Sequence, residues 1–338
     1  MRARWGRASE ELTLDAATLT ALINPAFPGQ TVLEATPARG GLTNTNLRLR
    51  LSGLAEPVLL RLYTRDPTAA VKEQALHRRL APRLPVPQLL FGATDSLVGH
   101  AYALMAWVDG ERLELVAPHL GHAELGQLGR DVGRVLAGIH AVTFSAQGFL
   151  DGGLEVQPFP AAFGAGLVGF LRAHLVGTGG AERLGADLTR RLLQFAERES
   201  SRLAAWTGPP CLTHADFGPS NILVRRAATG PVVAAVLDWE FAFSGAPFFD
   251  FGNLLRPPVG DLPGFEAAVA SGYRAAGGVL PRDWRRRSLL VDLTAWAEFL
   301  SRPHVSASLV RDARAVIART IARWPDYETA SEQRSSSM

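Results

Sequence analysis

Leu212-Thr213-His214-Ala215-Asp216-Phe217-Gly218-Pro219-Ser220-Asn221-Ile222-Leu223-Val224 sets histidine, aspartate and asparagine at the spacing H-x-D-x-x-x-x-N. Glycine and proline make the middle of the stretch a loop, and it runs into a short apolar strand, Asn221–Val224. A second apolar run, Val232–Leu237, ends at Asp238-Trp239-Glu240. The two runs interrupt a chain that is otherwise helical in rhythm from residue 118 onward. Leu125, Leu128, Val132, Val135, Leu136 and Ile139 mark one helix, Leu184–Trp206 a second, and Gly264–Ala276, Arg282–Leu300 and Ser306–Trp324 three more.

Upstream the pattern changes. Thr31–Glu34, Asn46–Leu51 and Val58–Tyr63 are short apolar runs separated by Gly40-Gly41 and by Gly53 and Pro57, which reads as three antiparallel strands. In the third, the period of two puts Leu59, Arg61 and Tyr63 on one face and Val58, Leu60 and Leu62 on the other. Asp66-Pro67 then supplies a helix cap and a first-turn proline. Ala69, Glu73, Leu76 and Leu80 follow on one stripe, with the acidic Glu73 among apolar residues. Ala101–Val108 reads as a further strand. The expected architecture is α+β in two lobes: a small antiparallel sheet with one helix over residues 1–107, a larger, mainly helical lobe over 108–330, and a flexible tail over 331–338.

A chain of 338 residues, at about 150 per domain, accommodates two lobes and a cleft. Hydrophobic residues make up 47% and charged residues 20%, which is globular composition. The net charge of +3 gives no support to a nucleic-acid partner. Cys211 is the only cysteine, so an intramolecular disulfide and a multi-cysteine metal site are excluded, and a reducing, cytoplasmic setting is expected. The first residues are basic and then acidic without an apolar core, and no apolar run approaches a membrane span. Neither secretion nor membrane association is expected.

Transfer of a phosphoryl group to a hydroxyl requires a carboxylate that orients the nucleophile and takes its proton, together with hard oxygen ligands for Mg2+. Asp216 suits the first task, and Asn221 and Asp238 suit the second. An isolated H-x-D-x-x-x-x-N also fits an ordinary turn. Here it is joined, in chain order, by a glycine loop, Arg61, Glu73 and Asp238.

On these residues the chain, over roughly 30–300, resembles the aminoglycoside phosphotransferase and choline kinase-like family, which has the protein kinase-like fold. The resemblance implies Asp216 as catalytic base and Asn221 and Asp238 as magnesium ligands; Ala215 stands where the family usually has glycine. It implies that Asp250 braces the catalytic loop, and that Gly40-Gly41-Leu42-Thr43-Asn44-Thr45-Asn46 is the nucleotide loop, with Gly40, Gly41, Thr43, Asn44 and Thr45 near the phosphates. Taken alone, that stretch is a generic hairpin signal. Arg61 and Glu73 match the family's phosphate-binding basic residue and its helix partner. Lys72 is the only lysine and lies on the helix rather than the strand, so arginine must supply that charge. Met105-Ala106-Trp107-Val108 is the implied hinge, where Met105 and Trp107 would meet the nucleotide base, covered by Leu59 and Leu223. The implied cofactors are ATP, with GTP as an alternative, and Mg2+. The implied partner is a small-molecule hydroxyl acceptor: an amino alcohol, a homoserine-like compound, a sugar or an aminoglycoside. Asp292, Trp296 and Glu298 are candidates for an acceptor pocket, core packing being the other role for Trp296. A catalytically inactive kinase-like scaffold is the alternative function.

Rival motifs are weaker. Gly164–Gly169 matches G-x-G-x-x-G but follows no strand, and no P-loop sequence exists. His214 is expected to be structural because Asp216 already fills the base role. Cys211 is expected to be a buried thiol rather than a nucleophile. Arg285-Arg286-Arg287 and the later Arg302, Arg311, Arg314, Arg319 and Arg323 are expected on a solvated helix face.

Overall fold

Short alternating runs divided by glycine and proline form the expected antiparallel strands β1 (Val32–Pro37), β2 (Thr45–Leu51) and β3 (Val58–Leu62). These belong to a computed structural model that describes residues 12–38, 44–64, 66–160 and 166–327. Two further strands, β4 (Leu89–Ala93) and β5 (Tyr102–Ala106), complete a five-stranded antiparallel sheet in the order β1-β2-β3-β5-β4. β4 had no sequence signal because it sits between Pro87 and a glycine-containing end and is only half-buried along its length.

Helix α2 (Pro67–Leu80) starts as expected, with the Asp66 carboxylate accepting from Thr68 N–H at 2.9 Å. It covers the sheet face that carries Leu59, Arg61 and Tyr63, and Gln74 donates to the Tyr102 carbonyl at 3.2 Å. The opposite face, Val58, Leu60 and Leu62 with Leu47, Leu49 and Leu51, is fully apolar and needs its own cover. A helix beyond the expected one, α1 (Ala16–Ile23), supplies it with Leu19, Leu22 and Ile23.

The second part of the chain holds β6 (Glu111–Arg112), α3 (Leu113–Val116), α4 (His122–His140), β7 (Gly148–Leu150) and β8 (Val156–Gln157). After them come α5 (Gly166–Leu175), α6 (Gly180–Leu184), α7 (Ala186–Glu199) and α8 (Ser201–Ala204). Four strands follow in the region that breaks the helical rhythm: β9 (Cys211–Thr213), β10 (Ile222–Ala227), β11 (Gly230–Val236) and β12 (Phe243–Gly245). α9 (Phe248–Leu254), α10 (Phe265–Ala275), α11 (Trp284–Ser301) and α12 (Ala307–Ala322) close the lobe. The result is the expected mixed α+β architecture. The strands here form two small sheets, β11-β10-β6 and β8-β7-β12-β9.

Two helical expectations change. The single helix expected over Leu184–Trp206 is three, because Gly185 takes φ +92° and breaks it at one end and Ser200-Ser201 restarts it at the other. The arginine run is not a solvated face. Arg286 and Arg287 are only 4% and 7% exposed, Arg286 lying over the Trp324 ring and Arg287 bonded to Asp283 at 2.8 Å. Their long apolar stems pack between α11 and its neighbours while the heads find carbonyl and carboxylate oxygens. The tail over 331–338 and Gly164 lie outside the described residues.

α4 and α10 form the closest helix pair of this lobe. A Cβ at Gly133 would stand 2.0 Å from the Val269 carbonyl oxygen, and one at Gly272 2.0 Å from that of Arg130. This contact positions His140, the last residue of α4, against the Tyr273 hydroxyl of α10 at 2.9 Å. Helix propensity favours Gly133→Ala by about 1 kcal/mol, but the clash is with backbone and no rotamer relieves it. Denaturant unfolding of Gly133→Ala should show a net loss of about 1–3 kcal/mol; an unchanged midpoint would contradict the packing.

Candidate active site

The loop after β9 is held from beneath by α9. The Asp250 carboxylate, fully buried, accepts from the backbone N–H groups of His214 at 2.9 Å and Ala215 at 2.8 Å, and lies 3.0 Å from His140 Nε2. One turn later Asn253 donates to the Ala215 carbonyl at 3.0 Å. Ala215 therefore has both backbone groups bonded by one helix, and it sits at φ +65°. A left-handed conformation costs a non-glycine residue about 1–2 kcal/mol, which explains why glycine is the easier residue here. The Asp250 and Asn253 bonds hold the alanine in it.

His214 Nε2 donates to the Leu237 carbonyl at 2.9 Å, while Nδ1 accepts from Asp216 N–H at 3.2 Å. This tautomer follows from the bonding pattern. The ring is fully buried between Phe217 and Trp239 and joins the loop to the end of β11, so it is a structural residue as expected. Asn221 Nδ2 donates to both the Asp216 carbonyl at 2.9 Å and its Oδ2 at 2.8 Å. The aspartate and the asparagine of the H-x-D-x-x-x-x-N spacing thus share one site.

Asp238, two residues beyond β11, takes φ +63°, a conformation aspartate tolerates, and its carboxylate is bonded to Arg61 of β3. Arg61 is 4% exposed. Its Nε is 3.1 Å from Glu73 Oε2, one terminal nitrogen is bonded to Asp238, and the other is 3.9 Å from Glu240 Oε2. Glu73 in turn accepts the Trp239 N–H at 3.1 Å, so α2 is bonded directly to the Asp238-Trp239-Glu240 segment. Lys72 adds a second tie by donating to the Ala242 carbonyl at 3.0 Å. Asn44 Nδ2 donates to Glu240 Oε2 at 3.1 Å, bringing the start of β2 to the same cluster.

Burial by itself would raise the Glu73 carboxyl, but the Arg61 guanidinium and His77 outweigh it and hold it at about 2. Burial likewise opposes the charge on Arg61, and Glu73 and Asp238 reverse that and raise it further. Glu240 goes the other way: burial raises it, Arg61 offsets part of this, and Asp238 and Glu73 add to the rise. The Cys211 thiol is pushed up to about 12 by burial and by Asp250, as befits an inert core residue.

The donor set fits magnesium. Three carboxylates, Glu73, Asp238 and Glu240, share one guanidinium, so the cluster has a surplus of negative charge. With its amide nitrogen turned to Asp216, Asn221 keeps its side-chain oxygen as a hard donor that could serve a metal ion, and its backbone carbonyl accepts from Leu237 N–H at 2.8 Å, next to Asp238. Among the described residues no group of three or more His, Cys, Asp or Glu could hold a metal alone. An ion here would take its remaining ligands from phosphate and water, which is magnesium's habit.

Other expected residues are placed less centrally. Thr45 is fully buried at the start of β2 and its hydroxyl accepts from Leu12 N–H at 3.2 Å, turned toward the N-terminal segment. Met105 is buried opposite Leu59 in the sheet, and half-buried Trp107 follows β5 with its indole N–H on Asp109 at 2.8 Å. Gly110, in the same connection, lies against Leu223 and Val224. Gly40, Gly41 and Thr43 lie outside the described residues. Trp296 is fully buried, its N–H on Asp292 at 2.8 Å, so it is core rather than pocket wall. Glu240, Asn253 and His140 were not singled out from the sequence; only Asn253, one helical turn from Asp250, had a spacing that could have flagged it.

The model of the phosphotransferase enzyme family matches residues 34–290, and the chain belongs to that family. It is therefore a phosphotransferase. No curated protein sequence matches the chain. Among solved structures, the GDP complex of aminoglycoside 2'-phosphotransferase-IIIa is 16% identical with a TM-score of 0.66, over 92% of this chain and 99% of that one. The streptomycin–ATP ternary complex of APH(2")-IIa is 18% identical with a TM-score of 0.60, over 92% and 98%. The gentamicin complex of the same enzyme is 18% identical with a TM-score of 0.61, over 91% and 97%. At this identity the likeness establishes the kinase-like fold. Among the described residues no helix is long and apolar enough to cross a membrane.

Because the Glu73 carboxyl is held at about 2 against 4.5, its ionisation stabilises the fold above pH 4.5. That contribution, on the order of 3 kcal/mol before any relaxation, is lost as pH falls from 4.5 toward 2. Glu73→Gln should be less stable at pH 7 and show a flatter loss of stability over that window. Parallel acid-unfolding curves for the two proteins would contradict this.

Proposed function

We propose that this enzyme transfers the γ-phosphoryl group of ATP, or of GTP, to a hydroxyl of a small molecule in a magnesium-dependent reaction. Asp216 is the catalytic base. The observation that carries the reading is that two pairs from three separate segments, Asp216 with Asn221 and Arg61 with Asp238, are joined through Leu237, which precedes Asp238 and is bonded to Asn221 and His214. A cytoplasmic setting suits such an enzyme, since ATP and Mg2+ are held there.

Asn221 fixes one oxygen of the Asp216 carboxylate, so the carboxylate presents a set orientation to the acceptor. The acceptor hydroxyl donates its proton to Asp216 as its oxygen attacks the γ-phosphorus, and the bond from phosphorus to the bridging oxygen of the diphosphate breaks. Arg61 brings a fixed positive charge to the phosphates, and Glu73 keeps its guanidinium plane in place. Asn221 and Asp238 would hold magnesium, which supplies charge neutralisation at the phosphate oxygens. Asn44, through Glu240, ties the proposed nucleotide loop to the metal segment.

Purified Asp216→Asn should bind MgATP as the wild type does while turnover falls by about 10²–10⁴. Asp238→Asn should instead lose magnesium-dependent nucleotide binding. Wild-type turnover in Asp216→Asn would remove that residue from the base role.

A further inference from the structure

Across the sheet β8-β7-β12-β9, Gln157, Phe149, Phe243 and Thr213 are direct cross-strand partners and share one face. The alternate residues Leu150 and Leu212 point the other way, into the main core. The face of Phe149 and Phe243 is therefore turned away from that core. Phe159 joins it, and Phe249 meets it from the edge of the main core. Ring centroids are 5.1 Å apart for Phe149 and Phe159, 5.8 Å for Phe159 and Phe243, and 5.0 Å for Phe243 and Phe249, all near edge-to-face.

This aromatic row adjoins the proposed catalytic base. Thr213, at its end, lies three residues before Asp216 on the same strand and loop. Phe249 precedes Asp250, and its carbonyl accepts from the Asn253 amide that also holds Ala215. Phe149 is 36% exposed and Phe159 and Phe249 are half-buried. Phe243 is 8% exposed and is covered by the other rings, which leaves Phe149, Phe159 and Phe249 as three aromatic faces partly open to solvent on the segments that lead into the catalytic loop.

Nearby acidic groups are occupied. The Asp151 carboxylate, in the β7–β8 turn, accepts from Gly153 N–H, Glu155 N–H and the Gln157 amide. Asp292 on α11 is held by two nitrogens of Arg256 at 2.9 and 2.6 Å, and Glu298 by Arg302 at 3.0 and 2.8 Å. Asp292 and Glu298 are thus paired with arginine, and the Asp151 carboxylate is taken up by three N–H donors of its own turn.

We propose that Phe149, Phe159, Phe243 and Phe249 form the wall of the acceptor subsite and select a small hydroxyl compound that offers a flat ring or hydrocarbon face, not a polycation. The assignment rests on the phosphotransferase reading above. The ring stacks on Phe149 and Phe159, and its hydroxyl reaches toward Asp216.

The test is binding of 4-fluorobenzyl alcohol to the full chain, followed by 19F NMR with a non-hydrolysable MgATP analogue present. Phe149→Ala and Phe159→Ala should each weaken the alcohol by about five- to tenfold, with analogue affinity unchanged and circular dichroism showing each variant folded. Phe149→Leu, which keeps bulk, should lose less. No binding of the alcohol, equal affinity in all variants, or binding of choline or kanamycin in its place would overturn the proposed acceptor class. None of these outcomes touches phosphoryl transfer itself, which the Asp216→Asn turnover assay reads separately.

Discussion

The buried guanidinium of Arg61 faces three carboxylates, Glu73 from α2 and Asp238 and Glu240 from the segment after β11. No other charge in the site is so committed. Taking one arginine and a carboxylate out of water costs several kcal/mol, and it is recovered only where geometry and further hydrogen bonds are good. Here Glu73 spends its second oxygen on Trp239 N–H, and Glu240 accepts from Asn44. The cluster thereby fixes β3, α2, the start of β2 and the proposed metal segment relative to one another. Its surplus negative charge is left for cations to complete.

The second constraint comes from below. Asp250 bonds two consecutive backbone N–H groups of the loop and His140, and Asn253 bonds the Ala215 carbonyl that follows them. The position of α9 follows from its contact with α11, where Gly252 lies against the Ser288 carbonyl and Asp292. His140 is set by the close approach of α4 and α10 at Gly133 and Gly272. Helix packing far from the cleft thus reaches Asp216 through two side chains. The strain at Ala215 is tolerated because both of its backbone groups are bonded.

Much of this was legible in the sequence because its signals are local. The alternation around Arg61, the Asp66-Pro67 start of α2 and the placement of Glu73 on an apolar stripe are all period and cap signals, and the structure repeats them. The pairing of Asp216 with Asn221 was within reach of spacing, and that of Arg61 with Glu73 came from the family resemblance. What could not be read is set by tertiary contact. α1 exists to cover an apolar sheet face, and β4 is an edge strand flanked by proline with no alternation. The burial of Arg286 and Arg287 depends on Trp324 and Phe248, whose rings only the fold brings over the guanidinium groups. Thr45 turns to Leu12 and not to the cleft for the same reason. The phenylalanine row is four residues from three segments, joined by register across strands that are each three residues or fewer or by a helix start.

The central claim is that Arg61 and Glu73 act as one unit in presenting positive charge to the nucleotide. Calorimetric titration of MgATP into wild type, Arg61→Met, Glu73→Gln and the double variant tests it directly, with circular dichroism confirming that each is folded. The account predicts strong non-additivity: the double variant binds no more weakly than Arg61→Met alone, because Glu73 acts on the nucleotide only through the arginine. Independent, additive losses from the two substitutions would contradict it.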